Sequence, residues 1–143
     1  VKFDIAFERI YPHPLRKVWR ALTDRELLGQ WLMETDFVPE RGASFQMWCQ
    51  YGEGGTDRYL CELIEFEPPR RMVWSWVLDE RQNDGAMHVE FTLKEVPEGT
   101  HLRVRHFGDR DQEIIDAFQG GWPVKLDQLE EAMRSNGSTN SRG

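Results

Sequence analysis

Residues 112–134 read QEIIDAFQGGWPVKLDQLEEAMR, and this stretch decides the fold. Ile115, Phe118, Trp122, Leu126, Leu129 and Met133 recur every three or four positions, which sets them in one stripe along a helix. Gly120, Gly121 and Pro123 interrupt the stripe. Two glycines weaken a helix and a proline removes a donor, so a bend or a cap is expected near residues 119–122. Asp109, Asp111 and Glu113 suit the start of the helix, where its dipole favours anions.

The chain ahead of this helix reads as strands. Phe3, Ile5 and Phe7 share one parity, as in a half-buried strand over 3–10. Pro14 can open a first short helix carrying Leu15, Val18, Trp19 and Leu22. Thr23-Asp24-Arg25-Glu26 fits a capping box with Thr23 as the cap, so a second short helix follows with Leu27, Leu28 and Trp31 inward. Trp19 and Trp31 are expected to pack helix against sheet.

Strands are then expected over 43–51, 58–66, 72–78, the segment of Val89, Phe91 and Leu93, and that of Leu102, Val104 and His106. Gly52-Glu53-Gly54-Gly55, Glu67-Pro68-Pro69-Arg70, Asn83-Asp84-Gly85 and Pro97-Glu98-Gly99 mark the turns between them. Arg70-Arg71 is expected at a solvated turn, and Arg103 and Arg105 on the outer sheet face. Short connections favour an antiparallel meander. The fold class is therefore α+β: a curved antiparallel sheet wrapped around a long C-terminal helix, with two short helices after the first strand. Residues 1–135 form one domain and 136–143 a disordered polar tail.

Composition narrows the function. The chain has 143 residues, which suits a single core. Its net charge of -7 makes it a poor general binder of nucleic acid or anionic membrane. No apolar run reaches the roughly 20 residues that span a bilayer, and VKFDIAFERI does not read as a signal peptide. Cys49 and Cys61 lack a disulfide or zinc spacing and are expected as reduced thiols in a cytoplasmic protein. Trp31-Leu32-Met33 is a candidate exposed patch, which would support a weak homodimer.

Four motifs in order carry a family resemblance. Residues 14–32, PLRKVWRALTDRELLGQWL, resemble the opening of the activator-of-heat-shock-protein-ATPase homologue (AHSA1-like) family, a branch of the START or SRPBCC superfamily that includes the birch-pollen allergen. Residues 67–76, EPPRRMVWSW, resemble its turn-and-strand motif. GTHLRVRH at 99–106 resembles its last strand, and Gly121-Trp122 with Leu126, Leu129 and Met133 its C-terminal helix. The resemblance implies the helix-grip fold and a deep apolar cavity between sheet and helix. It also implies ligands such as lipids, hormones or polyketides, with cyclase or hydrolase activity in a few members.

Inward parity nominates the ligand-binding residues Phe45, Met47, Tyr59, Met72, Trp74, Trp76, Phe91, Val104, His106, Phe118 and Trp122. Residues 58–66 are apolar on both parities, so Leu60, Glu62 and Ile64 compete with Tyr59, Cys61 and Leu63 for the inner face. The same rings could fill a solid core instead of lining a cavity. His106 could orient a ligand, act as a base, or sit as a core histidine bonded to a neighbour. Tyr59, Glu62 and His88 could each present a polar group. No metal or cofactor cluster, activated nucleophile or carboxylate pair emerges from the spacing. The expected function is therefore hydrophobic ligand binding, the partner being a small apolar or aromatic molecule. The alternatives are a cyclase- or hydrolase-like enzyme using His106 or Tyr59, and a co-chaperone-like stress-response protein.

Overall fold

Phe3, Ile5 and Phe7 do share the inner side of the first strand, β1 (Lys2–Tyr11). The computed structural model describes residues 1–51 and 55–140, with side chains for residues 1–50 and 55–135. After β1 come α1 (Leu15–Thr23), α2 (Arg25–Trp31), β2 (Glu34–Thr35), β3 (Ser44–Tyr51), β4 (Gly55–Glu67) and β5 (Arg71–Leu78). A short 3-10 segment, Asp79–Asp84, leads to β6 (Met87–Val96), β7 (Gly99–Asp109) and α3 (Gln112–Asn140). The strands form one antiparallel sheet in the order β1-β7-β6-β5-β4-β3-β2. The meander therefore holds, and β1 returns to cover the free edge of β7.

Register explains the inner face. Leu63, Trp74, Val89, His106 and Ile5 form one row across β4, β5, β6, β7 and β1. The next rows hold Cys61, Trp76 and Met87 on one side, and Phe66, Met72, Phe91, Val104 and Phe7 on the other. A register shift between Leu63 and Glu65 in β4 resolves the ambiguous segment: Cys61 and Leu63 face the core before it, and Phe66 packs on the core after it. Gly42, with φ of +85°, turns the preceding loop so that its N–H donates to the Leu63 carbonyl at 2.7 Å.

The outer face carries charge. Arg71 is not at a solvated turn; it lies on the sheet, donating to Glu90 at 2.8 Å and to Glu65 at 2.5 Å. Arg105 clamps Asp4 with two nitrogens, as its outward parity predicts.

Helix α3 crosses the inner face. Its Ile115, Trp122, Leu126, Leu129 and Met133 are buried, and Phe118 is half-buried. The Tyr11 hydroxyl donates to the Leu126 carbonyl at 2.8 Å, His13 bonds Glu130 at 2.9 Å, and Lys125 donates to the Leu32 carbonyl at 3.0 Å. These contacts fix the helix against β1 and the end of α2. The expected bend at Gly120–Pro123 does not end the helix, which runs through Pro123. Burial of Trp122 and Leu126 on either side outweighs the local helix cost. Of the polar tail expected to be disordered, residues 136–140 continue α3, while 141–143 lie outside the described residues, as does the turn at Gly52–Gly54.

Two local expectations change. The cap of α2 is Asp24, whose Oδ1 accepts from the backbone N–H of Glu26 and Leu27. Thr23 instead donates to the Trp19 carbonyl one turn back. Trp31 and Leu32 are buried, with the Trp31 indole donating to the Ala21 carbonyl at 2.8 Å, so they make no exposed patch.

Candidate functional site

The nominated residues gather in two connected groups under α3. Trp74, Phe91 and Phe45 pack together with Phe37, ring centroids lying 4.9–6.1 Å apart. Trp76, His106, Phe118 and Trp122 form the second group, with Phe3 against His106. Phe91 joins the two, 6.2 Å from Trp122. Met47, Met72 and Val104 are buried in the same core. Tyr59 is half-buried at the margin, its ring 5.1 Å from Trp76. Glu62 is exposed, and His88 stacks on Phe107 away from this cluster.

His106 organises the second group. It has 0% exposure, and its ring stacks on Trp76 at 5.2 Å and tilts against Phe118 at 4.4 Å. The Trp122 indole N–H donates to its Nδ1 at 3.0 Å. An indole can only donate, so Nδ1 must be the accepting nitrogen of a neutral ring and the proton sits on Nε2. Burial pushes the His106 pKa down to about 3, with the Arg110 charge adding to the effect. Geometry and burial thus agree on an uncharged imidazole.

Three buried nitrogens in this region have no hydrogen-bond partner among the described residues: Nε1 of Trp74, Nε1 of Trp76 and Nε2 of His106. Native interiors rarely leave such groups bare, because each costs about 1–3 kcal/mol. All three are N–H donors once the His106 tautomer is set.

The deep cavity implied by the resemblance is largely filled by these rings. Among the described residues, an apolar pocket of about 100 Å³ remains between sheet and helix, lined by Leu32, Met33, Trp76, Ala117, Phe118, Gly121, Trp122 and Lys125. Three of those residues, Trp76, Phe118 and Trp122, also enclose His106. Gly121 leaves room at the mouth, since a Cβ there would meet nothing within 4 Å. A wider, open depression of about 660 Å³ lies at the far ends of β1 and β7, walled partly by the ion-paired Asp4, Arg105 and Asp109. The parity argument missed Leu32, Met33, Ala117, Gly121 and Lys125, because they come from a helix end and from the side of α3 rather than from a strand.

Among the described residues no cluster of three or more His, Cys, Asp or Glu could hold a metal ion, and no helix is long and apolar enough to cross a membrane. The family model for activator of Hsp90 ATPase homolog 1-like protein matches residues 12–134. The chain belongs to that family. Solved structures agree with this AHSA1-like assignment. Protein MLL2253 from Mesorhizobium loti is 31% identical with a TM-score of 0.83, over 93% of this chain and 98% of that one. Protein BH1534 from Bacillus halodurans is 25% identical with a TM-score of 0.78, over 92% and 98% of the two chains. A Staphylococcus aureus protein of unknown function, SA2116, is only 14% identical yet reaches a TM-score of 0.85 over 96% and 97%, so it shares the fold. No curated protein matches.

Proposed function

We propose that this AHSA1-like protein is a binding module that holds one small apolar or aromatic molecule between its sheet and α3, acting in the cytoplasm. The observation that carries this reading is the combination of an apolar pocket with buried, unpartnered N–H groups in and behind its wall. Small-molecule sites are typically apolar with a few placed polar groups. The pocket's 100 Å³ is close to the scale at which an apolar cavity takes up benzene. A single ring therefore fits with little rearrangement. A larger ligand requires the half-buried Phe118 to swing out.

Chemistry on the ligand has weaker support. A base needs a free lone pair, yet His106 Nδ1 accepts from Trp122 and its Nε2 carries the proton. A co-chaperone-like role rests on the family description and on no side chain described above.

The test is a titration of ¹⁵N-labelled protein with single-ring aromatics, following the tryptophan indole resonances. Saturable shifts at Trp76 and Trp122 are expected. Gly121→Leu places a side chain in the mouth at a helical position with open space, so it should keep the fold and weaken binding tenfold or more. Absence of any saturable shift up to ligand solubility, or full binding by Gly121→Leu, overturns the reading.

A further inference from the structure

The sheet has an open side. β1 is its terminal strand, paired with β7 alone, and among the described residues nothing bonds its other edge. The register says which groups face that edge. Pairing with β7 runs unbroken from Lys2↔Asp109 to Tyr11↔Thr100, and the Arg110 N–H donates to the Val1 carbonyl at 2.9 Å. Bonding alternates along an antiparallel pair, so the odd-numbered residues of β1 turn their N–H and C=O toward β7. Lys2, Asp4, Ala6, Glu8 and Ile10 turn theirs to the free edge, and all five are exposed. Natural edges are blunted by shortness, proline, a bulge or charge. β1 has ten residues, no proline and no shift of register, so charge is its remaining protection.

The order of those charges is selective. Lys2 and Glu8 stand at equal distances on either side of Ile5. When two β1 strands meet antiparallel about a twofold axis at Ile5, Lys2 faces Glu8 of the partner subunit, and Asp4 faces Ala6 of the partner subunit. These are the residues with outward backbone groups, so each such pair can exchange both of its hydrogen bonds. On the inner side Phe3 meets Phe7 of the partner subunit, and Ile5 meets its own copy. Other centres fit worse. An axis at Ala6 sets Asp4 against Glu8, and one at Asp4 sets that carboxylate against its own copy; like charges directly opposite are destabilising. An axis at Phe7 carries Lys2 past the end of the partner strand.

We propose that β1 is a self-association surface: two copies of this chain pair antiparallel through their β1 edges, centred on Ile5, and join their sheets into one. The partner is a second copy rather than an unrelated peptide because the strand is its own charge complement. Trp31 and Leu32, buried in the core, take no part.

Sedimentation equilibrium of the full chain tests it, with a monomer–dimer equilibrium expected and the dimer prominent by about 100 μM. Ala6→Pro removes an N–H that only the partner uses and leaves the bonds to β7 in place. It should keep the fold and weaken the dimer by about tenfold or more. Lys2→Glu brings like charges together in both copies of the contact and should weaken it by about tenfold. Adding Glu8→Lys exchanges the two charges and should restore the dimer. Amide hydrogen exchange read by NMR follows the edge itself. As concentration rises, protection should grow most at Asp4, Ala6 and Glu8, and less at Ile5 and Phe7, which already bond β7. A chain that stays monomeric up to about 1 mM overturns the proposal, whether or not β1 accepts an unrelated peptide. A dimer that a folded Ala6→Pro leaves equally tight places the contact elsewhere and overturns it too. The charge exchange decides the matter even if Ala6→Pro folds poorly: if Glu8→Lys does not rescue Lys2→Glu, the pairing centred on Ile5 falls.

Discussion

The Trp122 indole N–H donates to Nδ1 of His106 across 3.0 Å, joining the middle of α3 to the central row of β7 inside the core. One hydrogen bond therefore does two things. It ties helix to sheet, and it fixes which imidazole nitrogen carries the proton. The state of His106 then becomes a reporter of whether the core is intact.

Acid should destabilise the protein through this histidine. Unfolded, His106 takes up a proton near pH 6.5; folded, burial holds it neutral until about pH 3. Between those values the unfolded chain binds the extra proton, so stability is full above pH 6.5 and falls as pH drops toward 3. The slope from this one group is up to roughly 1.4 kcal/mol per pH unit. Urea midpoints measured from pH 7.5 to 4 should fall more steeply for the wild type than for His106→Gln. Parallel curves would mean that His106 is protonated in the folded protein.

Truncating Trp122 should cost stability in two separable parts. Trp122→Ala opens a cavity under α3 and is expected to cost about 3–5 kcal/mol. Trp122→Phe keeps most of the ring but leaves Nδ1 of His106 bare, at a cost of about 1–3 kcal/mol. Adding His106→Phe removes the stranded group, so the double variant should recover part of that loss. Urea unfolding of the wild type, Trp122→Phe, His106→Phe and the double variant gives the cycle, and strict additivity would show that the bond contributes nothing.

Much of the architecture was legible because burial is one-sided. The alternation at Phe3, Ile5 and Phe7, and again at Leu102, Val104 and His106, requires an inner and an outer sheet face. The stripe from Ile115 to Met133 requires a helix lying on the inner one. Residues 58–66 resisted reading because the register shift after Leu63 lets both parities go inward in turn. The cap was misplaced by one residue because Thr23 and Asp24 are both good caps, and only the backbone shows which one reaches the free N–H groups. The site was legible as a list of inward rings but not as a pocket. Leu32, Met33 and Gly121 meet Trp76 only through the crossing of α2 and α3, which no local pattern encodes.

The two candidate caps can be told apart directly. Asp24→Ala removes the acceptor for the N–H groups of Glu26 and Leu27 and should cost about 1 kcal/mol. Thr23→Ala loses only a hydroxyl that bonds back to Trp19 and should cost less. Thermal unfolding that ranks Thr23→Ala as the more damaging change would restore Thr23 as the cap.

Cys49 and Cys61 should remain two distinguishable thiols. Cys61 pairs across the sheet with Phe45, and Cys49 lies four residues further along β3. At about 3.3 Å per residue that offset is roughly 13 Å, well beyond the ~7 Å limit for a disulfide. Burial raises the Cys61 thiol far above its ordinary pKa, and the Asp36 charge adds to this, so little reactive thiolate forms there. Cys49 is half-buried and accessible by comparison. Ellman's reagent added to native protein at pH 8 should therefore react quickly with one thiol per chain. The second should appear only as the protein unfolds in denaturant, giving two in total without prior reduction. Two fast thiols would place Cys61 outside the core, and fewer than two in denaturant would reveal an oxidised pair that the register of β3 and β4 forbids.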